Sequence, residues 1–298
     1  MTSKTLGILT YIDDTPNMLE EFSWIYKSWI YSGNWRTSDI IAVCNPSAYD
    51  KLPVESGIIR IARSPLSQPG SPWADYPFIN SIGCLVGSFI DEIAGNYTHL
   101  LRSDADVFLT QNLVGFRPNI PVFGRGHYAD TAEVRQKLTA YAEKLGFEHH
   151  GVFNCGHSLL ASSSHVVEFL REQYSLCEIL LEEFKDDPGQ WPGWCRNVLT
   201  MYAAELVANK HWASNLRVGF HNILDYETVL WSDIAASGVY HIHALHVTGQ
   251  HWSKIDYRAG AYRDYDLASL DIRAVHDYCH WIAATSLGEI KRMSNYAG

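Results

Sequence analysis

Two rhythms of apolar residues alternate along the chain. Short runs with little polar interruption, Thr5–Tyr11 (TLGILTY), Asp39–Cys44 (DIIAVC) and Ile58–Ala62 (IIRIA), read as strands covered on both faces. Between and after them apolar side chains recur at helical spacing. Met18, Phe22, Ile25 and Trp29 predict a helix over 17–32 behind the turn Asp13-Asp14-Thr15-Pro16. Beyond the Pro/Gly/Ser-rich loop Ser64–Pro72, Asn80–Ala94 predicts a helix capped at Asn80 or Ser81. Pro121–Gly124 and Gly151–Leu160 predict further strands. Thr131–Leu145, Ser164–Phe184, Cys195–Asn209 and Ile272–Ile290 predict further helices. Alternation of this kind implies an α/β protein with a largely parallel sheet flanked by helices.

The stretch 97–113, YTHLLRSDADVFLTQNL, is where the pattern becomes chemical. An apolar strand, Leu100–Leu101, runs through Arg102 into Asp104 and Asp106, and Val107–Leu109 leads out. In an extended segment residues i and i+2 point the same way, so the two carboxylates would repel each other unless a cation lay between them. Divalent cations with hard oxygen ligands answer that need, and open α/β sheets bind ligands at the carboxyl edge. Tyr11 and Asn45 fall at strand ends on the same edge, where a base and ribose would dock. Plain strand-end turn chemistry explains both residues equally well.

The segment HLLRSDADVFLTQNL resembles the Asp-x-Asp region of nucleotide-sugar-dependent glycosyltransferases of the GT-A fold. The resemblance continues in motif order through most of the chain. Phe153-Asn154-Cys155-Gly156 is similar to the strand those enzymes place beside the transferred sugar. His246-Val247-Thr248-Gly249, followed by Trp252 and Lys254, is similar to their late His-x-x-Gly motif, although the Lys-Pro-Trp order is not kept. The resemblance implies one GT-A domain over 1–298, with a nucleotide-binding half at 1–113 and an acceptor half with a C-terminal extension at 114–298. It implies Mn²⁺ or Mg²⁺ held by Asp104, Asp106 and His246, and a nucleotide-sugar donor, most simply a UDP-sugar. Arg102, Asp104, Asn154 and either Lys254 or His251 would contact that donor. Compact, unanchored chains of this kind also resemble soluble glycosyltransferases of large algal viruses and bacteria.

Two features suggest the acceptor side. The loop Asp186-Asp187-Pro188-Gly189-Gln190-Trp191-Pro192-Gly193-Trp194 offers Trp191 and Trp194 as stacking faces for a glycan, or as plugs at the edge of the core. Glu205 lies in an apolar helix, where a carboxylate is either paired or functional. As a desolvated acid it suits a general base for an inverting transfer, with Asp187 or Asp186 as the alternative. The late histidine motif points instead toward retention.

Composition narrows the partners. With 298 residues, 47% of them hydrophobic, the chain can bury a large core. A net charge of −10 argues against nucleic acid or an anionic membrane as partner. The lack of a long apolar stretch argues against a membrane span, and six scattered cysteines suit a reducing, cytoplasmic setting. Gly-x-Gly-x-x-Gly, Walker and Gly-x-Ser-x-Gly motifs are absent. The competing classes are a metal-dependent sugar-nucleotide phosphohydrolase and a non-catalytic carbohydrate-binding protein.

Overall fold

Along the first two strands, successive residues face opposite helical layers, which is why both read as continuously apolar. Leu6, Ile8 and Ile12 with Ile40, Ala42 and Cys44 pack into one core cluster, and Leu9, Tyr11, Ile41 and Val43 pack into the other. The computed structural model describes residues 4–212, 217–218, 223–228, 231–244, 246, 248 and 252–296.

The elements run β1 (Leu6–Ile12), α1 (Pro16–Tyr31), β2 (Ser38–Cys44), β3 (Ile58–Ala62), α2 (Asn80–Gly83), α3 (Phe89–Asn96), β4 (His99–Arg102), β5 (Val107–Leu109), β6 (Val122–Arg125) and α4 (Ala132–Lys144). They continue with β7 (Cys155–Ser162), α5 (Ser163–Glu183), α6 (Leu199–Trp212), β8 (Arg217–Val218), β9 (Tyr226–Glu227), β10 (His241–His243), α7 (Lys254–Ala259), α8 (Val275–Ala284) and α9 (Leu287–Ser294). The main sheet has the order β3-β2-β1-β4-β7-β6-β8. Strand β7 is antiparallel to both of its neighbours, and every other pairing in this sheet is parallel. The sheet crosses the expected division at residue 113, because β4 pairs directly with β7. A second small sheet, β5-β10-β9, continues the chain beyond β4 and packs against α1, where Leu109 N donates to Ser28 Oγ at 2.9 Å.

Helices α1, α8 and α9 cover one face, and α2, α3 and α5 cover the other. Thr15 caps α1 by accepting the Met18 N–H, and Pro16 supplies a preset first turn. Among the described residues no helix is long and apolar enough to cross a membrane. All six cysteines are buried and free.

Four expectations about elements are corrected. The helix expected over 80–94 is broken into α2 and α3, and Asn80 is no cap: its side-chain Oδ1 accepts from Leu66 N and Ser67 N, pinning the preceding loop. The Asp-x-Asp stretch is not one strand, since β4 ends at Arg102 and β5 belongs to the second sheet. The strand expected from Gly151 begins only at Cys155, because Asn154 turns through the left-handed region at φ 64°. The last helix is divided into α8 and α9 by the Ser286 cap.

Candidate active site

The chain bends at Ser103–Asp106, between the carboxyl end of β4 and the start of β5. Antiparallel pairing sets Val107 against His243 and Leu109 against His241, and the Ala244 N–H bonds to the Asp106 carbonyl at 2.8 Å. That register carries an imidazole to the acids. One ligand atom from each of Asp104, Asp106 and His243 lies within 4.8 Å of the others. Two hard carboxylates and one imidazole suit Mn²⁺ or Mg²⁺ completed by water or phosphate oxygens.

Each acid has its own cationic support. Arg102, fully buried, donates to Asp104 Oδ1 at 3.0 Å and also to His157 O and Ser81. The His157 ring is 3.7 Å from Asp104. Burial alone would raise the Asp104 carboxyl; Arg102 and His157 outweigh it and hold it below the usual range. Asp106 Oδ2 accepts from His243 Nε2 at 3.2 Å and from Lys254 Nζ at 2.5 Å. There too burial works upward, but His243 and Lys254 hold the acid well down. The same contact lifts His243 to about 9 against the effect of its burial.

A second layer fixes these groups. His241 Nδ1 accepts the Asp225 N–H at 3.1 Å, so Nε2 carries the proton toward Ser103 Oγ at 2.8 Å. Asp225 takes Ser158 N at 3.1 Å and Ser158 Oγ at 2.6 Å. A β-carbon at Gly124 would stand 1.6 Å from Asp225 Oδ2, and one at Gly156 would stand 2.4 Å from it. The close approach that Gly156 permits is therefore that of Asp225, within the protein.

A family model described as domain of unknown function DUF7164 matches residues 1–295. The chain belongs to the DUF7164 family. No curated protein matches its sequence. Among solved structures, galactosyltransferase LgtC in complex with donor and acceptor sugar analogues is similar, at 13% identity and a TM-score of 0.49. An active-site mutant of LgtC is similar at 13% identity and a TM-score of 0.51. Each covers 97% of this chain over 100% of its own length. At that identity the likeness is one of fold, and this DUF7164 chain has the GT-A architecture.

The structure redistributes the expected site residues of this DUF7164 protein. His243 stands where His246 was expected; His246 is exposed and outside the triad. His251 lies outside the described residues. Arg102 is a buried brace for Asp104, with its terminal nitrogens bonded to protein groups. Tyr11 is buried at the end of β1, and its hydroxyl has no partner among the described residues. Asn45 donates to Asp13 Oδ1 at 2.8 Å and caps the turn at Ser47.

The acceptor side changes more. Glu205 is fully buried: Tyr128 OH reaches it at 2.8 Å, Asn154 N at 2.7 Å and His149 Nε2 at 3.4 Å. Burial raises its carboxyl above the usual range although these donors oppose it. An acid so enclosed does not reach an acceptor hydroxyl, so the expectation of a base at Glu205 is corrected to that of an anchor. Asn154 is likewise occupied, accepting from Ala129 N at 2.7 Å and donating to Asp130 at 2.6 Å. Trp194 is buried and stacked on Tyr202 with ring centroids 4.2 Å apart, a core plug. Trp191, half exposed, and Asp187, exposed with Oδ1 accepting from Gly189 N at 2.9 Å, remain on the surface. Sequence reasoning missed His157, His241, His243 and Asp225; the His-x-His spacing at 241–243, which sets both rings on one face of a strand, was the available signal.

Proposed function

We propose that this protein is a metal-dependent glycosyltransferase that moves a sugar from a nucleotide-diphosphate donor, a UDP-sugar in the simplest case, to a hydroxyl of a glycan or other acceptor. The observation that carries the reading is the Asp104–Asp106–His243 triad at the carboxyl edge of a GT-A sheet. A divalent cation bound there would offset the charge growing on the leaving diphosphate. Asp104, Asp106 and His243 hold it, and Arg102 and His157 fix the direction of the Asp104 carboxylate. Tyr11 stays in the core with its hydroxyl enclosed and is left out of the proposed donor contacts.

On the acceptor side the exposed indole of Trp191 provides a stacking face, and Asp187 is the surface carboxylate of the same loop. With Glu205 enclosed, the case for inversion rests on Asp187 or its neighbour Asp186, both exposed. The test is a thermal-shift series with UDP-sugars in Mn²⁺ and in EDTA. Ligand binding to the native state raises Tm, so the donor-induced rise should appear only with Mn²⁺. An equal rise in EDTA overturns the proposal. Rapid donor hydrolysis without any acceptor would assign the same site to a phosphohydrolase.

A further inference from the structure

Lys254 opens α7 and is almost wholly buried. Its ammonium lies 2.5 Å from Asp106 Oδ2 and 3.5 Å from Glu21 Oε1 on α1. Glu21 is itself buried and accepts from Arg258 at 2.7 Å, while Arg258 Nε bonds Glu20 at 2.8 Å. Lys254 and Arg258 are four residues apart on one short helix, so both cations face the same acidic turn of α1. The triad therefore already contains a cation of the protein's own. Whichever oxygen of Asp106 meets a divalent ion, an ammonium 2.5 Å from that carboxylate faces a double positive charge in a poorly screened site.

We infer that Lys254 is an exchangeable counter-ion: it occupies Asp106 until a divalent cation takes that carboxylate, and Glu21 is the second seat that receives the displaced ammonium. The inference rests on the reading of Asp104, Asp106 and His243 as a cation site. No bond to carbon changes; one ion pair is exchanged for another, and the ammonium stays paired throughout. Glu21 is thus a positioning residue that acts through Lys254.

The experiment is Mn²⁺ titration of the full chain, following free Mn²⁺ by electron paramagnetic resonance, with no sugar nucleotide present. Lys254→Met removes the competing charge and should tighten Mn²⁺ by about tenfold. Glu21→Gln removes the second seat and should weaken Mn²⁺ by about threefold. In the Lys254→Met background, Glu21→Gln should have no effect, since its partner is gone. Damage to the fold would weaken binding in both single variants and overturn the inference. An undiminished Glu21→Gln effect in the double variant would mean that Glu21 acts on the ion directly, which also overturns it. Wild-type Mn²⁺ binding that survives Asp106→Asn would fail the cation-site reading itself and take the exchange with it, a pattern separable from the other two.

Discussion

Two buried carboxylate regions of this molecule are handled in opposite ways. At the sheet edge Asp104 and Asp106 face Arg102, Lys254 and His243, whose charges hold both acids below their usual range. On α6, Glu205 faces a phenol, a backbone N–H and an imidazole, and burial raises it instead. The first arrangement leaves negative charge where a stronger cation can claim it. The second commits the acid to three donors that tie the β6–α4 and α4–β7 loops to α6. Burial of an acid is therefore no sign of catalysis by itself; what surrounds it, and whether solvent or substrate reaches it, decides.

The comparison breaks most plainly at Asp106. Asp106→Asn should lower transfer by about 10³-fold or more, since the charge that holds the cation is lost, with only a small change in melting temperature because Glu21 still pairs Lys254. A variant with near-normal turnover would remove the first half of the contrast. Next in size, Trp194→Ala should cost roughly 4 kcal/mol in denaturant unfolding by opening a cavity beside Tyr202 and Phe184. Both substrates should be affected alike, whereas an acceptor platform would show a selective rise in acceptor KM. Glu205→Ala should cost about 3 kcal/mol, because it strands the Asn154 N–H and the Tyr128 hydroxyl, while Mn²⁺ affinity stays at the wild-type value.

A subtler test uses proton linkage. The folded carboxyl of Glu205 is raised above its unfolded value of 4.5, so its contribution is fully present below that pH and is lost as pH rises through the folded value. Measured against Glu205→Gln, which cannot ionise, wild type should be relatively most stable below pH 4.5 and lose that advantage as pH rises toward neutrality. A flat difference would mean that the Glu205 carboxyl is not raised, and a difference that grows with pH would place it in an environment like that of Asp106. The smallest effect belongs to Trp191→Ala. Stability should move by less than about 0.5 kcal/mol, as for surface changes generally, and any rise in acceptor KM would mark that loop as the acceptor side.

The order and class of the elements were legible because strands buried on both faces and amphipathic helices leave different periodicities. Asp104 and Asp106 were legible because their spacing is local. His243 was not, since its place depends on the register of β10 on β5, a pairing between segments far apart in sequence. The late motif pointed to His246, three residues on, and alternation along β10 sets His241 and His243 on the inner face instead. Glu205 showed an acid among apolar neighbours, but the groups that satisfy it stand 51 and 77 residues away. Trp191 and Trp194 sit in one loop of uniform composition, and only the packing of Tyr141, Phe184 and Tyr202 separates a plug from a surface indole.

Asp106 and Lys254 are 148 residues apart in sequence. At the usual pace of synthesis, 5–20 residues per second, Asp106 is made roughly 7 to 30 s before its ammonium partner exists. Contacts of such long range form slowly, because loop closure must precede their reward. Until His157 and His243 are made, in the earlier part of that interval, the strand ends carry two acids with Arg102 alone beside them. A chain interrupted before α7 would thus keep both acids and His243, yet lack the ammonium that pairs with Asp106. The Asp106–Lys254 ion pair is for that reason a check on whether the polypeptide has been made and folded as far as α7.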